Sequence, residues 1–249
     1  MNEEWYSKST MSDQLLIEKT GPVSTLTLNR PDKANALDAG LVDALAAAVE
    51  TAQHDGTRLL VLKGNGRNFC AGFDFGGYEN SSDGELLARF ARIELLLQSV
   101  YHAPYATLAL AHGRNFGAGV DLVLACGSRI AAPDAQFRMP GLRFGLQLGT
   151  RRLAARLGGD AARALLATSR TFGAEEALRL GFAREIAALA DWPALIERAA
   201  ADAAELSPAA AARLYAATLS DTREADLADL VRSVLEPGLK RRIADYRKG

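Results

Sequence analysis

Cysteine and histidine are scarce in this 249-residue chain: two cysteines, Cys70 and Cys126, and three histidines, His54, His102 and His112. Two thiols cannot build a disulfide framework, and so few scattered Cys and His residues offer no metal cluster and no catalytic pair. No apolar run reaches the roughly 18 residues a membrane span requires. Neither sign of charge is in excess, since 29 Lys+Arg against 30 Asp+Glu leaves −1. That balance argues against a nucleic-acid groove or a polybasic membrane patch as the main use of the surface. Three catalytic signatures are also missing. There is no G-x-S-x-G nucleophile elbow and no G-x-x-x-x-G-K-[ST] phosphate loop. Gly64-Asn65-Gly66 follows a strand, but the third glycine of a dinucleotide fingerprint would fall on Phe69. The opening residues 1–12 are polar and lack an apolar signal core, so a flexible tail and a cytoplasmic location are expected.

What is present is an ordinary globular composition, 49% hydrophobic and 24% charged. The length suits one large domain or one domain with an appendage. Short β-branched runs, glycine-rich turns and helices alternate up to about Ile186, and beyond it the chain becomes Ala/Leu/Arg helix. The pattern divides into a tail (1–12), an α/β core (13–190) and a C-terminal helical region (191–249). Residues 15–18 and 23–28 read as a hairpin around Gly21, and Asp38 reads as the N-cap of a helix to about Gln53. Leu41, Val42, Leu45, Val49 and Ala52 share one face of that helix. Residues 59–63 and 107–111 read as buried strands, 85–100 as a helix, and 182–186 as a late strand. Repeated strand, turn and helix units predict parallel sheet with crossover helices. The C-terminal region reads as helices over 193–205, 208–219 and 225–235.

Two loops lie just beyond the C-terminal ends of predicted strands, where ligands bind in open α/β sheets. One is Asn68-Phe69-Cys70-Ala71-Gly72-Phe73-Asp74-Phe75. The other is Asn115-Phe116-Gly117-Ala118-Gly119-Val120-Asp121-Leu122. Their small residues let backbone approach a ligand closely, and the second loop runs straight into a helix whose first N–H groups are free. Two amides converging from two loops are what a developing oxyanion requires. The same glycines would also serve tight turns and helix–strand packing alone.

Taken together, these loops identify a resemblance. They stand in order with Thr27-Leu28-Asn29-Arg30-Pro31-Asp32-Lys33-Ala34-Asn35-Ala36-Leu37 and Ala174-Glu175-Glu176-Ala177-Leu178-Arg179-Leu180-Gly181. From about Leu15 to the C-terminus the chain resembles the crotonase superfamily, the enoyl-CoA hydratase/isomerase proteins. The resemblance implies an α/β spiral of ββα turns followed by a C-terminal helical trimerisation region, giving a homotrimer or hexamer. It implies an acyl-CoA thioester as substrate, with coenzyme A part of the substrate and no separate cofactor or metal. The stretch holding Lys33, Ala34 and Ala36 would line the coenzyme path. The amides of Phe73 and Ala118 would form the oxyanion hole. Ala71, Gly72, Asp74, Phe75, Gly117, Pro140 and Gly141 would surround the acyl group, and 79–88 would be a variable loop over it.

The chain also departs from its family. Hydratases of this type use two glutamates, and the matching positions here are Asp121 and Gly141. A third acid used by some members falls on Gly149, and Gly127 replaces the aspartate that commonly follows an Ala-Cys pair. Hydration requires a base for water and an acid for the α-carbon, roles that one carboxylate can fill in sequence but two fill better, whereas moving a double bond requires one group that takes and returns a proton. Asp121 is the expected acid/base, although an acid at a helix start also complements the helix dipole. Thioester hydrolysis, decarboxylation, or binding without catalysis are the alternatives. Arg143 and Gln147 are expected at the surface unless their loop folds inward.

Overall fold

The computed structural model describes residues 13–248, so the expected tail at 1–12 lies outside the described residues. Strands β1 (Leu15–Thr20) and β2 (Val23–Leu28) form an antiparallel hairpin that pairs Leu15 with Leu28. Its turn needs the positive φ of Gly21, +56°. From β2 onward the main sheet is parallel: β3 (Leu59–Gly64), β4 (Ala106–Ala111), β6 (Ser128–Ala131) and β9 (Glu185–Ile186) complete the order β1-β2-β3-β4-β6-β9. Leu59, Leu60, Val61 and Leu62 are all buried, as a strand covered on both faces must be. At the end of the predicted late strand only Glu185 and Ile186 pair, with β6. Phe182 instead turns into the core, its ring 4.7 Å from that of Phe137 and 5.4 Å from that of Phe172.

The second layer is β5 (Arg114–Phe116), β7 (Gln136–Arg138) and β8 (Phe172–Gly173), in the order β5-β7-β8. A parallel bridge from Cys70 to Asn115 extends it. Thus after each of β3, β4 and β6 the chain contributes a further segment to the second layer. That winding, closed by a helix on successive turns, is the ββα spiral the resemblance implied.

The helices begin where local chemistry starts them. In α1 (Ala39–His54) the Asp38 carboxylate accepts from the Leu41 amide at 2.8 Å, and the predicted apolar face is buried. In α2 (Asp83–Tyr101) Ser82 and Glu85 form a reciprocal capping box. The span 79–88 is therefore no loop throughout. A short 3₁₀ turn (Tyr78–Asn80) is followed by helix from Asp83, because the box nucleates it there. The third spiral turn carries α3 (Ala118–Ala125), and α4 (Thr150–Leu157), α5 (Gly159–Thr168) and α6 (Ala174–Arg179) follow.

The C-terminal helices are α7 (Trp192–Ala204), α8 (Pro208–Thr218), α9 (Arg223–Leu235) and α10 (Leu239–Lys248). Trp192 and Leu195 of α7 cover Leu59, Val61, Leu108 and Leu110 on one face of the main sheet. Helix α9 packs on α2, and α10 packs on the 3₁₀ turn Gly141–Phe144. The last helix lies beyond the three read from sequence. Gly238 at φ +79° breaks the chain, and Leu239 and Ile243, one turn apart, are buried and re-anchor it. No described helix is long and apolar enough to cross a membrane.

Candidate active site

Two glycines bring the two loops together. A β-carbon at Gly72, which has φ +87°, would stand 2.3 Å from the carbonyl oxygen of Phe116 and 3.1 Å from the amide nitrogen of Ala118. A β-carbon at Gly119 would stand 2.2 Å from the carbonyl oxygen of Cys70. With both positions bare, the Phe116 amide donates to Cys70 O at 3.0 Å and the loops lie edge to edge. Phe73 and Ala118 consequently line one cavity of about 130 Å³. Among the described residues neither of their N–H groups has an acceptor. Leu37 bridges to Gly72 O and to the Asp74 amide, passing over the Phe73 amide, and the first turn of α3 reaches Gly117 O only from Val120 and Asp121.

Asp121 projects from that first turn into the same cavity. It is 2% exposed, and its Oδ1 has no hydrogen-bond partner among the described residues. Among the described residues it is the only charged one of the lining, whose other side chains are apolar except for the phenol of Tyr246, with Phe90, Met139, Leu146, Leu148 and Leu166 in its walls. Burial pushes its pKa up to about 7; Arg152 opposes the rise and Glu94 adds to it. These two form a buried ion pair behind the cavity. Arg152 on α4 donates to both carboxylate oxygens of Glu94 on α2, with Nη1 to Oε1 at 2.9 Å, and stands 3.7 Å from Asp226 on α9.

Of the residues expected around an acyl group, Ala71, Phe75, Gly117, Pro140 and Gly141 line the cavity. Gly72 makes the close approach instead. Asp74 does not enter it: it accepts from the Gly76 amide at 2.8 Å and pairs with Arg30 at 3.0 Å. Burial works against its charge, but the Gly76 amide and Arg30 hold it below the usual carboxylate range. Lys33, Ala34 and Ala36 lie outside the lining, joined to the first loop by Ala34 O, which accepts the Ala71 amide at 2.9 Å. Arg143 is exposed, and Gln147 is held by Asp229 at 3.2 Å, so neither enters the cavity.

Sequence reasoning missed the outer wall and the support behind Asp121. Tyr246 of α10 lines the cavity, its ring 5.2 Å from that of Phe144, which faces Phe75 at 6.2 Å. Glu94 had a readable signal: it is an acid among Phe90, Ile93 and Leu97 on the buried stripe of α2. A carboxylate there demands a partner.

The spiral with its cavity at the second-layer loops is a crotonase fold, and comparison with known proteins gives the same answer. The enoyl-CoA hydratase/isomerase family profile matches residues 18–233. A crystal structure of a Bordetella parapertussis protein assigned to the enoyl-CoA hydratase/isomerases superposes with a TM-score of 0.94 at 53% identity, covering 96% of this chain and 100% of that one. The Mycobacterium bovis protein named "Probable enoyl-CoA hydratase echA6" is 36% identical over 190 residues, 74% of this chain and 76% of that one. The "Short-chain-enoyl-CoA hydratase" of Clostridium acetobutylicum is 30% identical over 186 residues, 70% of this chain and 69% of its own. The chain belongs to the enoyl-CoA hydratase/isomerase family. It is an enzyme of that family, a lyase or isomerase.

Proposed function

We propose that the protein moves the double bond of an enoyl-CoA thioester with an apolar acyl chain. The Phe73 and Ala118 amides hold the thioester oxygen, and Asp121 transfers the proton. The observation that supports this most strongly is Asp121 itself: one buried carboxylate, with an oxygen unpartnered among the described residues, in a largely apolar cavity. Ionised Asp121 removes a proton from the carbon next to the thioester carbonyl. The electron pair moves onto the carbonyl oxygen, where two backbone amides stabilise it in a largely apolar cavity. Protonated Asp121 then returns the proton at the far end of the conjugated system. One group suffices because it is restored at the end of each turnover.

Hydration would be served better by a second acid to manage water, and neither candidate position can carry one without rearrangement. A β-carbon at Gly141 would stand 2.9 Å from the backbone oxygen of Leu146, and one at Gly149 would collide with Asp121. In this reading coenzyme A runs past Lys33, Ala34 and Ala36, no separate cofactor is required, and the location is cytoplasmic. The chain assembles as a trimer or hexamer, a reading supported by Leu214 on α8 and Leu235 on α9, which are 46% and 63% exposed.

The test is a panel of 2-enoyl-, 3-enoyl- and saturated acyl-CoAs followed by mass spectrometry and by absorbance of the conjugated thioester. Conjugation gained without mass change is expected for a 3-enoyl-CoA. A gain of water would make it a hydratase. Free CoA, or loss of CO2, would overturn the proton-shuttle assignment, and so would binding with no turnover at all. A monomeric mass by light scattering would overturn the assembly.

A further inference from the structure

A second cavity, of about 280 Å³, opens between the end of α2, the start of β4, α4 and α8, and shares no lining residue with the first. Its only charged lining residue is Arg156. The Arg156 guanidinium lies 5.2 Å over the ring of Tyr101 and donates from Nη2 to Cys126 O at 3.3 Å. Its Nε is buried with no acceptor among the described residues.

Behind it sits Arg129, 2% exposed, whose Nη1 donates to Cys126 O and Gly127 O at 2.9 Å each. Arg184 acts on both as a third positive charge. Among the described residues none of the three has an ion pair with a carboxylate. Burial and then this mutual repulsion lower Arg129 to about 10, and burial lowers Arg156. Cys126 gives no counter-charge, because burial pushes its thiol up to about 12. A partly buried cluster of like charges without a counterion is costly, and proteins ordinarily supply one.

The place for it is identifiable. A β-carbon at Gly127 would stand 3.6 Å from Thr107 Oγ1 and 3.7 Å from Thr107 O, ordinary contacts, so a side chain can start there without a clash. In the cavity lining, the hydroxyls of Tyr101, Ser128 and Tyr215 have no hydrogen-bond partner among the described residues and are available as donors.

We propose that this cavity is an anion site, in which a small carboxylate or phosphate oxyanion sits against Arg156 in the space that Gly127 leaves bare.

The test is thermal unfolding of the full chain, titrated with inorganic phosphate and separately with acetate against chloride at constant ionic strength. The wild type should show a saturable rise in midpoint of about 2–4 °C with at least one of the two anions. Gly127→Asp, which supplies the acid internally, should start from a higher midpoint and lose the saturable rise. Arg156→Gln should lose the rise as well, with its far-UV circular dichroism unchanged. No saturable rise in the wild type, or an equal rise in Arg156→Gln, would overturn the proposal. If a carboxylate of a second copy fills the cavity instead, neither anion acts on the wild type and Arg156→Gln lowers the mass seen by light scattering. That outcome also overturns it.

Discussion

Gly149 and Asp121 compete for the same space: a β-carbon at residue 149 would stand 1.6 Å from Oδ1 of Asp121. Gly149 also has φ +65°, where a side chain is strained whatever the room. The bare turn that begins α4 therefore leaves the carboxylate the room it occupies. The same helix delivers Arg152 three residues later. A side chain at 149 would force the Asp121 carboxylate to turn away from its present position, so the glycine goes with the observed placement of that carboxylate.

Asp121→Asn keeps the shape and removes the base, so turnover should fall about 100-fold or more. Its effect on stability has the opposite sign. The folded carboxyl holds its proton up to about 7, while the unfolded one releases it near 3.8. Wild-type stability therefore has a contribution that falls as pH rises across that window. The Asn variant should lack this slope and equal or exceed wild type at about pH 8. Urea unfolding of both proteins across a pH series measures it.

Because the proposed base must be ionised to act, the rate should rise with pH to a plateau, with a midpoint near 7. Glu94 adds to the raised value and Arg152 opposes it. Glu94→Gln should thus move the midpoint to lower pH, and Arg152→Met should move it higher. Each breaks a buried ion pair and should cost about 3–5 kcal/mol of stability. Rate profiles of folded samples of each variant separate the electrostatic effect from unfolding.

Ala118→Pro deletes one of the two free amides at a position where helices tolerate proline, the first residue of α3. Loss of one such donor costs about 100-fold or more in kcat. Thioester binding should change far less. Full turnover with an intact circular dichroism spectrum would remove Ala118 from the proposed hole.

Gly141→Glu restores a carboxylate where hydratases carry one, yet its β-carbon meets the Leu146 backbone oxygen at 2.9 Å. The 3₁₀ turn Gly141–Phe144 must then shift, and with it the contact to α10. The variant should lose about 1–3 kcal/mol and gain no hydratase activity. Water addition to a short 2-enoyl-CoA, measured by mass, is the check.

The sequence by itself determined the elements whose causes are local. Asp38 caps α1, Gly21 turns the hairpin, and four successive buried residues make β3, because each depends on neighbours a few positions away. The two glycine-bearing loops were equally readable, since close backbone approach leaves glycine as its trace. Only the tertiary structure decided what the acids do. Asp74 and Asp121 each follow small residues in similar loops, yet Arg30 captures the first and burial isolates the second. The Glu94–Arg152 pair spans α2 and α4, Tyr246 closes the cavity from the last helix, and Gly149 makes room for a carboxylate 28 positions earlier in the chain. Desolvation and long-range pairing are sums over residues distant in sequence, and no local pattern carries them.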